Sequence, residues 1–235
     1  MFRFRSTRPE RIDTGDYTDE EYRTFMREIR FINQKLGDRS ALEKTLLAEI
    51  ERVDLREFSV LDVGAGSGEL LAVIADFARE SERHARLLGL DLNELSAREI
   101  AGETLRYPEI AAVRGDALRL PFDDDVFDYC VCSLFTHHLT DKQIPLVLAE
   151  MSRVARRGIV VIDLERSAVA WGLYRLFCFA YRISPLVRHD GLLSIRKGFR
   201  TGEFDAIGRS AGLKEFKVCR QAPYRVVMSS LDRDR

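Results

Sequence analysis

Cysteine is scarce in this chain, and its spacing pairs it with nothing. The four residues, Cys130, Cys132, Cys178 and Cys219, form no C-x-x-C pair, which excludes a disulfide framework and a cysteine zinc site and suits reduced thiols in a core. Cys130 and Cys132 fall on one face of a strand. Net charge is scarce too. The 37 Lys and Arg against 38 Asp and Glu leave no basic field for a phosphate backbone, so nucleic acid is not an expected partner. Long apolar runs are few: Ser167 to Leu186, SAVAWGLYRLFCFAYRISPL, is interrupted by Arg175 and ended by Pro185. That is too charged at its centre for stable membrane insertion, and reads as a buried or lid helix. The opening MFRFRSTRPERIDTGD has no apolar core, so it reads as no secretory signal and the expected location is cytoplasmic. Residues before about Asp16 read as loosely ordered, and nothing repeats.

What is present is regular alternation. Thr18 and Glu21 make a capping box before Tyr22, Phe25, Ile29, Ile32 and Leu36, an amphipathic helix ended by Gly37. Ser40 with Glu43 opens a second helix bearing Leu42, Leu46, Leu47 and Ile50. Strand and helix patterns then follow: strand 59–63, helix 67–80, strand 86–91, helix 94–104, strand 110–115 and strand 126–132. Thr140 and Gln143 cap a helix to about Arg156, and Gly158 leads into the strand IVVIDLE. Thr201, Glu203 and Gly212 bracket a last helix before KEFKVC and YRVVMSS. Strands separated by helices predict a doubly wound, mostly parallel α/β sheet, with any ligand at the carboxyl ends of the strands. The organisation expected is a helical cap over residues 1–54, then a core over 55–235 carrying a helical insertion at about 167–199.

The chemistry concentrates in VLDVGAGSG, Val60 to Gly68. Gly64 and Gly66 allow a tight turn, and Ser67 is placed to cap the helix that starts at Glu69. Asp91 closes the next strand and can accept both ribose hydroxyls. The dinucleotide pattern G-x-G-x-x-G has glycine where this chain has Glu69, a carboxylate that would repel a pyrophosphate. A nucleoside without phosphates fits better, and S-adenosylmethionine is such a ligand.

In these motifs the chain resembles the class I S-adenosylmethionine-dependent methyltransferases. LDVGAGSG, GLDLN, RGDALRLPF and DVFDYCVCSLFTHHL stand in the family's order over roughly Leu55 to Glu165. The resemblance implies a Rossmann-like sheet of seven strands, completed by an antiparallel pair, with a helical lid insertion after the fifth. It implies Asp62 near the methionine amino group, Gly64, Ala65, Gly66 and Gly68 under the cofactor, and Asp91 with Leu92 at the ribose. Asp116 with Ala117 would lie near the adenine, and Ser133 near the methionine carboxylate. FTHHL, followed by a strand ending in DLERS, is similar to the quinone-biosynthetic and natural-product branches, which implies a role in secondary metabolism.

Methyl transfer needs a nucleophile held in line with the methyl group, and a phenol near pKa 10 costs about 4 kcal/mol to ionise at neutral pH. His138, or failing that His137, is the candidate general base; packing is the alternative reading of both. His84, among charges, reads as solvent-facing. Candidate acceptor contacts are Phe25, Ile29, Trp171, Tyr174 and His189, with core packing or a surface loop the alternatives. Asp190 and Gly191 read as a turn. The function expected is methylation of a hydrophobic, aromatic or polyketide-like hydroxyl, or of carbon in a quinol precursor. A non-catalytic S-adenosylmethionine-binding protein and, more distantly, a dehydrogenase are the other classes. The expected partners are a small-molecule substrate and, as an open alternative, a second copy in a homodimer; no metal is expected.

Overall fold

The structure is a computed structural model that describes residues 2–36, 38–102 and 106–231. Its helices are α1 (Arg11–Thr14), α2 (Asp19–Leu36), α3 (Asp38–Leu42), α4 (Ala48–Arg52), α5 (Glu69–Glu80), α6 (Glu94–Gly102), α7 (Gln143–Val154), α8 (Ala168–Ala180), α9 (Pro185–Lys197) and α10 (Thr201–Ser210). The strands are β1 (Glu57–Val63), β2 (His84–Asp91), β3 (Ile110–Arg114), β4 (Phe127–Ser133), β5 (Ala155–Leu164), β6 (Lys217–Gln221) and β7 (Arg225–Leu231). They form one sheet in the order β3-β2-β1-β4-β5-β7-β6, in which β7 runs antiparallel to both its neighbours.

This is the doubly wound, seven-stranded arrangement expected. Strand order reverses between β1 and β4, so the crevice for a ligand opens where the chain leaves Val63 and Ser133. Apolar side chains cover both sheet faces. Leu71, Ile74, Val60 and Tyr129 pack on one side; Leu61, Cys130, Ile144 and Met151 pack on the other. Burial on both sides explains why β1 and β5 read as unbroken apolar runs rather than alternating ones.

Several local readings give way to longer-range forces. Ser40 and Glu43 do not open a helix: α3 already starts at Asp38, whose carboxylate is buried against the Arg225 guanidinium of β7. A π-helical turn, Glu43–Leu47, joins α3 to α4, with the Thr45 hydroxyl donating to Ala41 O at 2.7 Å. The helix capped by Thr140 and Gln143 ends at Val154, because residues 155–157 already belong to β5. Asp190 and Gly191 lie inside α9, not in a turn. The Gly37 helix stop and the end of the 94–104 helix lie outside the described residues.

The amino-terminal segment is the largest correction, for residues 2–14 are a fixed strap rather than a loose tail. Arg166 Nε donates to Phe2 O at 3.1 Å, Arg5 Nε to Lys197 O at 2.8 Å, and Ser6 N to Arg196 O at 3.0 Å. Asp190, turned inward, accepts from Arg11 N and Ile12 N at 3.0 Å each, filling orphan donors at the start of α1. The strap thus meets a cap made of α2, α8 and α9, which has its own small core around Ile32, Tyr174, Cys178 and Val187. Residues 38–52 instead pack into the sheet core.

Candidate active site

The glycine turn after β1 is held by the next strand. Gly64 N and Ala65 N donate to Leu90 O at 2.8 and 3.1 Å, and Gly66 N donates to Asp91 Oδ2 at 2.9 Å. Gly64 has a positive φ of 72°, and a Cβ there would lie 2.5 Å from the ring of Phe135. A Cβ at Gly66 would meet no described atom within 4 Å, so the Cα face of this turn is open although its N–H is held by Asp91. Gly68 is the residue that precedes α5, with no side-chain cap. Ser67 does not cap the helix as anticipated, because its hydroxyl donates to Glu69 Oε1 at 2.6 Å. Arg30 of α2 reaches the same carboxylate at 3.3 Å and Glu99 at 3.6 Å, drawing α2 over the turn.

Among the described residues, two buried polar atoms beside this turn have no hydrogen-bond partner, Asp62 Oδ1 on β1 and Ser133 Oγ on β4. Asp62 is 2% exposed. Burial, with the nearby Asp91 and Glu69 carboxylates adding repulsion, pushes its carboxyl up to about 8. A carboxylate left in that state fits a cationic ligand group, and the hydroxyl of Ser133 fits an anionic one. An amino-acid tail carries both.

Asp91 closes β2 with Oδ1 accepting from Asn93 N at 2.8 Å, while Leu92 stays exposed. Burial raises the Asp91 pKa, against the lowering effect of hydrogen bonds from Asn93 and Gly66. At the end of β3, Gly115 N donates to Asp91 O at 3.0 Å, leading to exposed Asp116 and buried Ala117. The sheet therefore brings Asp62, Asp91, Asp116 and Ser133 to one edge. A cavity of about 470 Å³ lies alongside, between α2 and α6, lined by Tyr22, Arg23, Arg98 and Glu99 among others.

The two histidines lie in a short 3-10 turn, Thr136–His138, next to that edge, and they differ sharply. His137 is 3% exposed, and its Nδ1 pairs with Asp163 Oδ1 of β5 at 2.7 Å. Asp163 also accepts from His137 N at 3.0 Å and from the Thr136 hydroxyl. Burial works against the Asp163 carboxylate, yet His137 and Thr136 more than offset it and hold its pKa down to about 2.

His138 keeps a quarter of its side chain exposed, with Nδ1 2.8 Å from Asp13 Oδ1 on the strap. Burial alone would lower the His138 pKa, but the Asp13 hydrogen bond and the charges of Glu10 and Asp13 raise it above 6.5. Asp13 responds in kind: against a burial effect that raises it, His138 and Lys197 bring it down to about 2. The imidazole charge also acts on Asp91, which places His138 within electrostatic reach of the nucleoside edge.

Glu10, His137 and His138 bring potential ligand atoms within 4.8 Å of one another. Lys197 Nζ lies 3.1 Å from Glu10 and 3.4 Å from Asp13, so an ammonium already balances this cluster. Glu10, Asp13, Asp163 and Lys197 are the residues that sequence reasoning missed. Asp163 had a signal, a carboxylate in the middle of the buried run IVVIDL, whereas the others had none.

On the cap, Phe25, Ile29, Trp171 and Tyr174 come together in one apolar cluster. Tyr174 is buried and donates to Val187 O at 3.3 Å. His189 stays apart with its side chain 58% exposed, its Nδ1 2.8 Å from Asp190.

Residues 60–158 match a family model described as a methyltransferase domain. The demethylmenaquinone methyltransferase of Bacillus licheniformis is 32% identical over 130 residues, 54% of this chain and 54% of that one. The one from Roseiflexus castenholzii is 33% identical over 129 residues, 54% of this chain and 51% of that one. The chain thus spans about half the length of the curated relatives it matches.

Among solved structures, a SAM-dependent methyltransferase from Aquifex aeolicus aligns with a TM-score of 0.56 at 18% identity, covering 83% of this chain and 94% of that one. Magnesium protoporphyrin IX methyltransferase from Synechocystis with SAH bound gives a TM-score of 0.56 at 13% identity, covering 83% of each chain. Those two likenesses are of fold. The sequence match runs through the glycine turn, Asp62 and Asp91, so over residues 60–158 the chain is similar to the methyltransferase-domain family.

Proposed function

We propose that the chain transfers a methyl group from S-adenosylmethionine to a hydrophobic aromatic molecule that carries an ionisable hydroxyl. The observation that carries this reading is the unpartnered pair Asp62 Oδ1 and Ser133 Oγ beside the glycine turn, one strand away from two histidine–carboxylate pairs. Bound S-adenosylmethionine would supply an electrophilic methyl group on a sulfonium. Asp62 would hold its ammonium, Ser133 its carboxylate, Asp91 its ribose hydroxyls, and Asp116 with Ala117 its adenine.

His138 would take the acceptor's proton, because it is the more exposed imidazole and feels the same field as Asp91. Its bond to Asp13 orients the ring and favours the protonated form, so the base is released as pH rises past its raised pKa. His137, locked on Asp163, would position the turn rather than move a proton to the acceptor. Phe25, Ile29, Trp171 and Tyr174 would supply the apolar wall.

Carbon methylation of a quinol is the outcome favoured by the relatives' names, demethylmenaquinone methyltransferase. Oxygen methylation of a phenol is the alternative, and an ionised ring oxygen serves both. The test is mass spectrometry of extracts and a quinol and phenol panel incubated with isotopically labelled methyl donor. A labelled ring carbon supports the first outcome and a labelled ether the second. Calorimetric binding of the donor with no labelled product from any acceptor would instead make the chain a non-catalytic binding protein.

A further inference from the structure

Helix α8 faces the wrong way for a helix bordered by water. Val169, Leu173, Leu176 and Phe179 recur at steps of four, three and three, and they are 60%, 52%, 63% and 82% exposed. Gly172 and Ala180 complete this outward stripe, so it has no polar side chain, while Ala170, Tyr174 and Cys178 on the opposite side fill the core of the cap. Tyr181, just past the helix, is 55% exposed and extends the stripe. A contiguous apolar surface of this kind on a folded chain marks a binding face.

The charges around it select the occupant. From Arg166 to His189 there is no Asp or Glu, whereas Arg175, Arg182 and Arg188 are all exposed. Arg175 and Arg188 also line a surface cavity of about 400 Å³ together with Phe179 and Leu192, so two guanidiniums and two apolar side chains share one niche. Nearby Glu28 of α2 is engaged elsewhere, accepting from Ser184 N at 3.0 Å and from its hydroxyl at 2.7 Å. A second copy seated on the stripe about a two-fold axis would bring two sets of arginines together with no carboxylate between them.

We propose that α8 is a membrane-surface helix, lying in the headgroup region of an anionic phospholipid bilayer with its apolar stripe inward and its arginines on lipid phosphates. Its 13 residues span about 20 Å, too short to cross a bilayer and sufficient to lie along one. The proposal stands apart from the identity of the methyl acceptor, since the stripe is on the outside of the cap and the histidines are beneath the strap.

The test is co-sedimentation of the full chain with vesicles of phosphatidylcholine alone and of equal parts phosphatidylcholine and phosphatidylglycerol. Partition onto the mixed vesicles alone is expected, and added salt should weaken it. Arg175→Gln/Arg188→Gln should lower partition about tenfold or more, given roughly fivefold per arginine near an anionic surface. Leu176→Ser/Phe179→Ser should lower it at least about tenfold through lost apolar insertion, with an unchanged circular dichroism spectrum. The single tryptophan, Trp171, gives a check without any variant, because its emission should shift to the blue on adding mixed vesicles.

Three results would overturn the proposal. One is no partition onto the mixed vesicles. Another is equal partition of wild type and both variants. The third is a wild-type dimer that Leu176→Ser/Phe179→Ser converts to monomer in sedimentation velocity, which would assign the stripe to a second copy.

Discussion

The glycine edge and the strap are neighbours, yet they are built on opposite principles. At the glycine edge, each residue is placed by the strand that ends just before it, and two polar atoms, Asp62 Oδ1 and Ser133 Oγ, are left without hydrogen-bond partners among the described residues. Under the strap, Asp13, His137, His138, Asp163 and Lys197 hydrogen-bond one another across as many as 184 positions of sequence, and Glu10 adds an ion pair to Lys197. Among the described residues, the first region is stabilised by the sheet and has no opposite charge beside its buried acid; the second holds itself together by ion pairs, Lys197 balancing even Glu10 Oε1, which accepts no hydrogen bond. Function at the edge should therefore be removable without cost to the fold, and function at the strap should not.

The largest effect expected on ligand binding is at the edge. Asp62→Asn should weaken S-adenosylmethionine binding by about tenfold to a hundredfold, the loss of a buried charge-assisted contact, measured by titration calorimetry. The same change should not lower the melting temperature. The Asp62 pKa is raised in the folded chain to about 8, so the wild type loses stability as pH rises between roughly 4 and 8, and the variant should be free of that slope. A melting temperature that fell with Asp62→Asn would erase the contrast.

Asp163→Ala should behave in the opposite way, lowering stability by about 3 to 5 kcal/mol through the His137 imidazole left buried without its partner. Chemical denaturation would measure it. Since the Asp163 pKa is lowered in the folded chain to about 2, the wild-type contribution is present above pH 4 and is lost as pH falls toward 2. Asp190→Ala should cost less, about 1 to 2 kcal/mol, by freeing two backbone donors of α1. Limited proteolysis should then cut before Asp16 in the variant and spare the wild type.

The smallest effect sharpens the assignment of the base. Asp13→Asn removes a group that raises the His138 pKa, so the acidic limb of the kcat profile should move to lower pH. An unmoved limb would take the proton away from His138.

The same contrast explains what could be read from residues alone. Asp91 was legible because a strand end following a glycine turn is a local signal, whereas Asp62 and Ser133 were singled out by the resemblance of their motifs to a known family. Glu10 and Asp13 were not legible, for their partners are carried by α9 and by the turn after β4. Asp190 with Gly191 has the composition of a turn, but Asp190 is needed inside α9 to receive α1, and Gly191 is there because a Cβ would lie 2.3 Å from the Tyr174 hydroxyl. The aromatic run of α8 was legible as a helix, while its outward stripe was not, since composition gives no direction.

The strap also sets an order of events during synthesis. Residues 2–12 are synthesised well before their partners Asp190, Arg196, Lys197 and Arg200. Until α9 has emerged, the growing chain has strands β1 to β5 and the glycine turn, but the strap lacks Asp190 and Lys197, which hold Arg11, Ile12, Glu10 and Asp13. Asp13 is therefore held against His138 with its Lys197 partner only once α9 is in place, and a chain cut short before α9 would keep the glycine turn while losing that support for the carboxylate beside its histidine.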